Sequence, residues 1–177
     1  QVIQTSTPLA EVVSRLQDQP RLFVSVFGFV GGIVTRTDLQ KPPVRMWLFG
    51  MITLIEMRMN DLIREGLADE EWKQYLSDGR LAKAEELRAE RTRRQLPVTL
   101  LDCLQFSDKC QIIARHEPLR DQTRFQSRRQ VEDAGKRLER LRNDLAHSQD
   151  IVVNDWDAVV ELSSNLETML QNTFKSS

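Results

Sequence analysis

The sequence predicts an α+β protein, a small strand-helix-strand-strand unit followed by an all-α helical bundle. Three observations carry this. β-Branched and aromatic runs broken by glycine are confined to the first 40 residues; from Val44 onward the apolar residues recur every three or four positions; and 40% hydrophobic content in 177 residues is enough to bury a core.

"QVIQT" opens the chain as a short strand. A helix follows, with Thr7 as N-cap, Pro8 at the first helical position and Leu9, Val12, Val13 and Leu16 at helical spacing. "RLFVSVFG" and "GGIVTRT" then read as the two arms of a hairpin. Opening on Gln1 directly with a strand makes the chain look like a segment of something longer.

Pro42 and Pro43 punctuate the chain, and the longest apolar segment runs from Val44 to Glu65 with Gly66 as terminator. Val44, Trp47, Leu48, Met51, Ile52, Ile55, Met59, Leu62 and Ile63 form its main stripe, which Met46, Phe49, Leu54 and Met57 widen. A helix apolar around most of its circumference is buried on more than one side, by its own bundle or by a second subunit. The stretches 70–75 and 80–94 are charged, and the latter, with Glu and Arg interleaved and little apolar face, reads as a solvated helix or mobile excursion. "LPVTLLDCLQFSDKCQII" resumes an apolar helical pattern, "RFQSRRQVEDAGKRLERLRNDLAH" forms the next helix, and a last one follows, capped by Asn154 or Asp155, with Trp156, Val159, Val160, Leu166 and Leu170 as its apolar positions.

Against 25 basic residues stand 26 acidic ones, so no global field draws the chain to a polyanion and any such site is a local patch. Cys103 and Cys110 lie two helical turns apart, too far for a disulfide and too few for a zinc site. With no signal peptide and no bilayer-length apolar run, the expected location is cytoplasmic, without a membrane partner.

One of the two histidines lies in "RLRNDLAH". At about 100° per residue, Val131, Ala134, Leu138, Leu141 and Leu145 fall within about 80° of arc, Arg142 lies about 60° from that stripe's centre, and Asn143 and His147 share the far face. A histidine moves protons near neutral pH, an arginine clamps a phosphate, and an amide orients either. Together they suit metal-independent cleavage of RNA through the ribose 2'-hydroxyl, although Arg, Asn and His near a helix end are more often ordinary surface or cap residues. His116, beside Pro118, reads instead as a helix-terminal histidine without chemistry.

"RNDLAH" also resembles the R-x4-H signature of the HEPN superfamily, helical bundles that include many metal-independent endoribonucleases of toxin-antitoxin and defence systems. The likeness extends from about Val44 to the end, which marks 44–177 as the HEPN-like domain. It implies a homodimer whose two motifs form one cleft, with His147 as acid/base, Arg142 as phosphate clamp and Asn143 orienting them. It also implies RNA as substrate, and an antitoxin or other regulatory protein as partner.

The front end carries Gly32, Ile33, Val34, Thr35, Arg36, Thr37 and Asp38, which resembles the end of a CBS motif; residues 1–43 share its strand-helix-strand-strand order. CBS motifs work in pairs on adenine nucleotides, so the resemblance implies an AMP- or ATP-like regulatory ligand, with Asp38 on ribose hydroxyls and Thr35 near phosphate. The second motif would come from upstream or from a second subunit. Without the resemblance, Thr35 and Asp38 equally suit the cap of the following segment.

The combined expectation is a nucleotide-regulated HEPN ribonuclease that needs no cofactor for cleavage. The alternative is a non-catalytic RNA-binding or dimerisation module with nucleotide sensing.

Overall fold

The structure is a computed structural model that describes residues 1–123 and 125–164. It is an α+β fold, rich in helix, with one small three-stranded sheet at the N-terminus. By compactness the chain divides into a first unit, Gln1–Ile52 with the chain from Arg140 on, and a second unit, Thr53–Glu139.

In the first unit, β1 (Val2–Gln4), β2 (Arg21–Val26) and β3 (Phe29–Thr35) lie in the order β1-β2-β3, β1 parallel and β3 antiparallel to β2. The hairpin turns on Phe27 (φ 49°) and Gly28 (φ 85°), two successive left-handed residues of the kind that match the twist of paired strands. Helix α1 (Leu9–Asp18) buries Val12, Val13 and Leu16, and Leu22 of β2 is buried with them in the unit's core. It begins one residue later than Thr7 as N-cap predicts. The Thr7 hydroxyl accepts the Gln4 N–H (3.0 Å) in the preceding turn, and the Pro8 carbonyl takes the first helical bond, from Val12 N–H.

After β3 a short 3-10 turn, Arg36–Gln40, leads into α2 (Pro42–Gly66). Both prolines sit inside the helix rather than ahead of it, because the first turn has no use for their missing N–H groups; the Lys41 carbonyl accepts from Val44 and Arg45 instead. Leu48, Met51, Ile52, Met59 and Ile63 are buried, whereas Met46, Phe49, Leu54 and Met57 are exposed. The width of the apolar face is real, and Met46, Leu54 and Met57 present part of it at the surface of the described residues.

The second unit holds α3 (Asp78–Arg93), whose buried residue is Ala84, as a solvated helix should, then α4 (Phe106–Arg115) and α5 (Glu117–Asp121). The apolar run before Ile112 does not form one helix. Thr99 donates its N–H (2.9 Å) and its hydroxyl (2.6 Å) to Asp102, which ties off a 3-10 turn at Leu101–Cys103. Gln105 then starts α4, its N–H bonded to Asp108 (3.1 Å). Local capping chemistry thus overrides the apolar period, and Cys103 and Cys110 stand on different elements. Helix α6 (Arg128–Ala146) passes from the second unit into the first, followed by α7 (Ile151–Asn154) and a helical segment at 156–164. Leu166 and Leu170 lie outside the described residues.

Candidate functional site

Ser127 and Gln130 set the start of α6. The Gln130 side chain accepts from Gln126 N–H (2.8 Å) and Ser127 N–H (3.2 Å), and the Ser127 hydroxyl accepts Gln130 N–H (3.3 Å). One turn on, a β-carbon at Gly135 would sit 2.5 Å from the Cys110 sulfur, so glycine is what lets α4 approach. Val131, Ala134, Leu141 and Leu145 are buried and Leu138 half-buried, the stripe that the periodicity predicts.

Of the three residues singled out on this helix, Arg142 is half-buried and Asn143 and His147 are exposed. Among the described residues none of the three side chains makes a hydrogen bond or ion pair. Helical geometry continues to the histidine, whose N–H bonds to the Asn143 carbonyl (2.9 Å). Asn143 and His147 therefore share a face, while Arg142 and His147 stay about 140° apart around the axis. The helix end does not bring them together within one chain.

That end is unusually well finished. Ser148 is left-handed (φ 56°) and Gln149 N–H returns to the Asp144 carbonyl (2.9 Å), a Schellman closure with serine where glycine is common. The Arg45 guanidinium donates to the carbonyls of Asp144 (2.8 Å), Leu145 (3.0 Å) and Gln149 (2.9 Å) and to the Gln40 side chain (3.0 Å). Gln40 in turn donates to Asp150, which caps α7 by accepting from Val152 and Val153 N–H (3.0 Å each). Sequence reasoning missed Arg45 and Gln40, and no local pattern marks them, since their partners lie about a hundred residues away.

Behind the motif, Asp155 is fully buried and accepts from Arg140 Nε (2.7 Å). It stands at the cap position expected of it, its carbonyl accepting the Val159 N–H (3.0 Å) at the start of the last helix, but its carboxylate turns inward to Arg140 rather than capping. Burial raises its pKa, Arg140 pulls it down, and the neighbouring Asp144 carboxyl, within hydrogen-bonding reach, raises it again.

At the strand unit, one oxygen of Asp38 accepts from Thr35 N–H (2.7 Å) and Thr35 hydroxyl (2.9 Å), and the other pairs with Lys41 (2.7 Å). Lys41 first, then Thr35, holds the Asp38 carboxyl below its ordinary range. Arg36 donates to the carbonyls of Leu16 and Gln17 (2.8 Å each), closing the end of α1, and stacks 4.5 Å from the Trp156 ring centre. Beside Thr35 opens a cavity of about 380 Å³, lined also by Asp18, Arg36 and Thr37.

Other reactive groups are quiet. His116 ends α4 and sits edge-on to Tyr75, ring centres 5.9 Å apart. The Cys110 thiol is pushed up to about 12, chiefly by burial, and so is no nucleophile near neutral pH. Among the described residues no cluster of three or more metal-ligating side chains occurs, and no helix is long and apolar enough to cross a membrane. In comparison with known proteins, no family model, no curated protein and no solved structure matches the chain.

Proposed function

We propose that the chain is a metal-independent endoribonuclease of HEPN type that works as a homodimer, with an adenine nucleotide as regulator at the strand unit. The observation that carries this reading is the state of the "RNDLAH" helix end. Asn143 and His147 are exposed and unpartnered among the described residues, on a helix terminus whose backbone groups are held by other residues. A histidine that the fold does not use is available for proton transfer.

In this mechanism His147 removes the proton from the ribose 2'-hydroxyl as that oxygen attacks phosphorus. The 5'-oxygen leaves with a proton from the protonated histidine of the second copy's motif, and a 2',3'-cyclic phosphate remains. Arg142 holds the phosphoryl charge and Asn143 orients the reacting groups. Because Arg142 and His147 diverge within one chain, the site is completed by the motif of a second copy. An antitoxin or other regulatory protein would act by covering this end. At the strand unit, the Asp38 oxygen now paired with exposed Lys41 is the one a ribose could claim, since an exposed ion pair holds it weakly.

The divergence of Arg142 and His147 also favours a second reading, a non-catalytic RNA-binding or dimerisation module. One experiment separates the two. Purified protein is incubated with single-stranded RNA in EDTA, with and without AMP or ATP. Cyclic phosphate ends are expected from the wild type and not from His147→Ala or Arg142→Ala, a loss of at least about a hundredfold. Any change caused by nucleotide is expected to vanish in Asp38→Asn. Cleavage unaltered in both motif variants overturns the reading; binding without turnover supports the second.

A further inference from the structure

The last turn of a helix leaves up to four carbonyls without intrahelical donors, and the residues beyond it are free to fray. At the end of α6 a single guanidinium meets both difficulties. Arg45 Nη2 holds the Asp144 and Leu145 carbonyls on the helix side of the turn, and Nη1 holds the Gln149 carbonyl on its far side. The only residues between these anchors are Ala146, His147 and Ser148. Ser148 has left-handed backbone, which a non-glycine residue adopts at a cost, so the turn needs outside support to persist. Gln149 Nε2 adds a bond to the His147 carbonyl (3.2 Å). Gln40 ties Arg45 to Asp150, and it is the last residue of the 3-10 turn that carries Asp38.

We infer that Arg45 is a positioning residue for His147: its guanidinium clamps the 144–149 turn and so fixes where the imidazole is presented, with Gln40 linking that clamp to the Arg36–Gln40 turn. Lysine cannot replace it, because one ammonium lacks the planar fork that reaches carbonyls on both sides of the turn. The clamp touches neither substrate nor reacting atoms and acts only through His147. Its consequence for catalysis rests on the ribonuclease reading; its consequence for the turn does not.

The test uses the whole chain and three variants, Arg45→Ala, Arg45→Lys and Gln40→Ala. Amide hydrogen exchange at Gln149 is expected to quicken at least about tenfold in Arg45→Ala while that at Leu141 stays put, with a smaller change in Gln40→Ala. The His147 imidazole resonance, one of only two in the chain, is expected to move and broaden, and that of His116 to remain. If the wild type cleaves RNA, Arg45→Ala is expected to lower kcat at least about tenfold with KM little changed, Arg45→Lys recovering only part. Unchanged exchange at Gln149 and an unchanged His147 resonance overturn the proposal, as does a full kcat in Arg45→Ala. Should Arg45→Ala fail to fold, Gln40→Ala decides by the same readouts. A wild type that cleaves no RNA sinks the ribonuclease reading alone, since exchange and the imidazole resonance still decide whether Arg45 holds the turn.

Discussion

Asp155 shows how a single buried group carries a pH dependence. Its unfolded form loses its proton near about pH 3.9, but burial, helped by Asp144 and opposed by Arg140, keeps the folded form protonated to higher pH. Between those two values the folded state binds more protons than the unfolded one, so this group's contribution to stability falls as pH rises from about 4 through the raised value. Asp155→Asn retains an acceptor for Arg140 and removes the ionisation. Denaturant unfolding is expected to show the variant gaining on the wild type as pH rises from about 4 through the raised value, and to show no further gain above it. A difference that does not vary with pH contradicts this account. Spacing alone assigns Leu141 and Leu145 to the core and Asn143 and His147 to the surface, as the structure has them, because burial follows helical period. The Asp155 partnership is not legible in the same way, because nothing in "NDWD" distinguishes a cap from a buried acid.

At the scale of elements, four short patterns do more than the apolar period to set boundaries. "TRTD", "TLLD", "QFSD" and "SRRQ" each place a side-chain acceptor three residues after a start, and each coincides with the start of a helical segment or turn. Two of them, "TLLD" and "QFSD", divide the run from Leu96 to Ile112 where the apolar period does not. Helix α2 makes the opposite point. Its period predicts a broad apolar face but not what covers it. Met46, Leu54 and Met57 lie within about 80° of one another, with Gly50 at the centre of the arc and open space above it. Under the dimer reading two such faces pack on each other across Gly50. Met57→Glu, 57% exposed in the single chain, is then expected to leave helicity unchanged, convert the sedimenting species from dimer to monomer and lower RNA cleavage with it. A wild type that sediments as monomer at micromolar concentration removes the composite cleft.

For the whole molecule, the balance of 25 basic against 26 acidic residues bears on how RNA would be held. Under the ribonuclease reading, with no global positive field, affinity would come from a few local contacts, Arg142 of each subunit foremost. Two phosphate contacts on a single strand imply a loss of less than about tenfold in affinity between 50 and 200 mM salt. A steeper fall, measured by fluorescence anisotropy, would point to a broad basic surface that this reading does not contain.

The sequence by itself determined the α+β order, the stripe that α6 buries and the polar face it leaves, because each depends on residues within a few turns of one another. Only the tertiary structure decided that Arg45 closes the end of α6, that Gln40 joins it to Asp150 and that Asp155 is buried under Arg140. A polar group's partner depends on where distant chain returns, and Arg45 lies 99 residues from Asp144. Short-range periodicity reports which face avoids water, but it carries no information about which far-off donor will meet a carbonyl there.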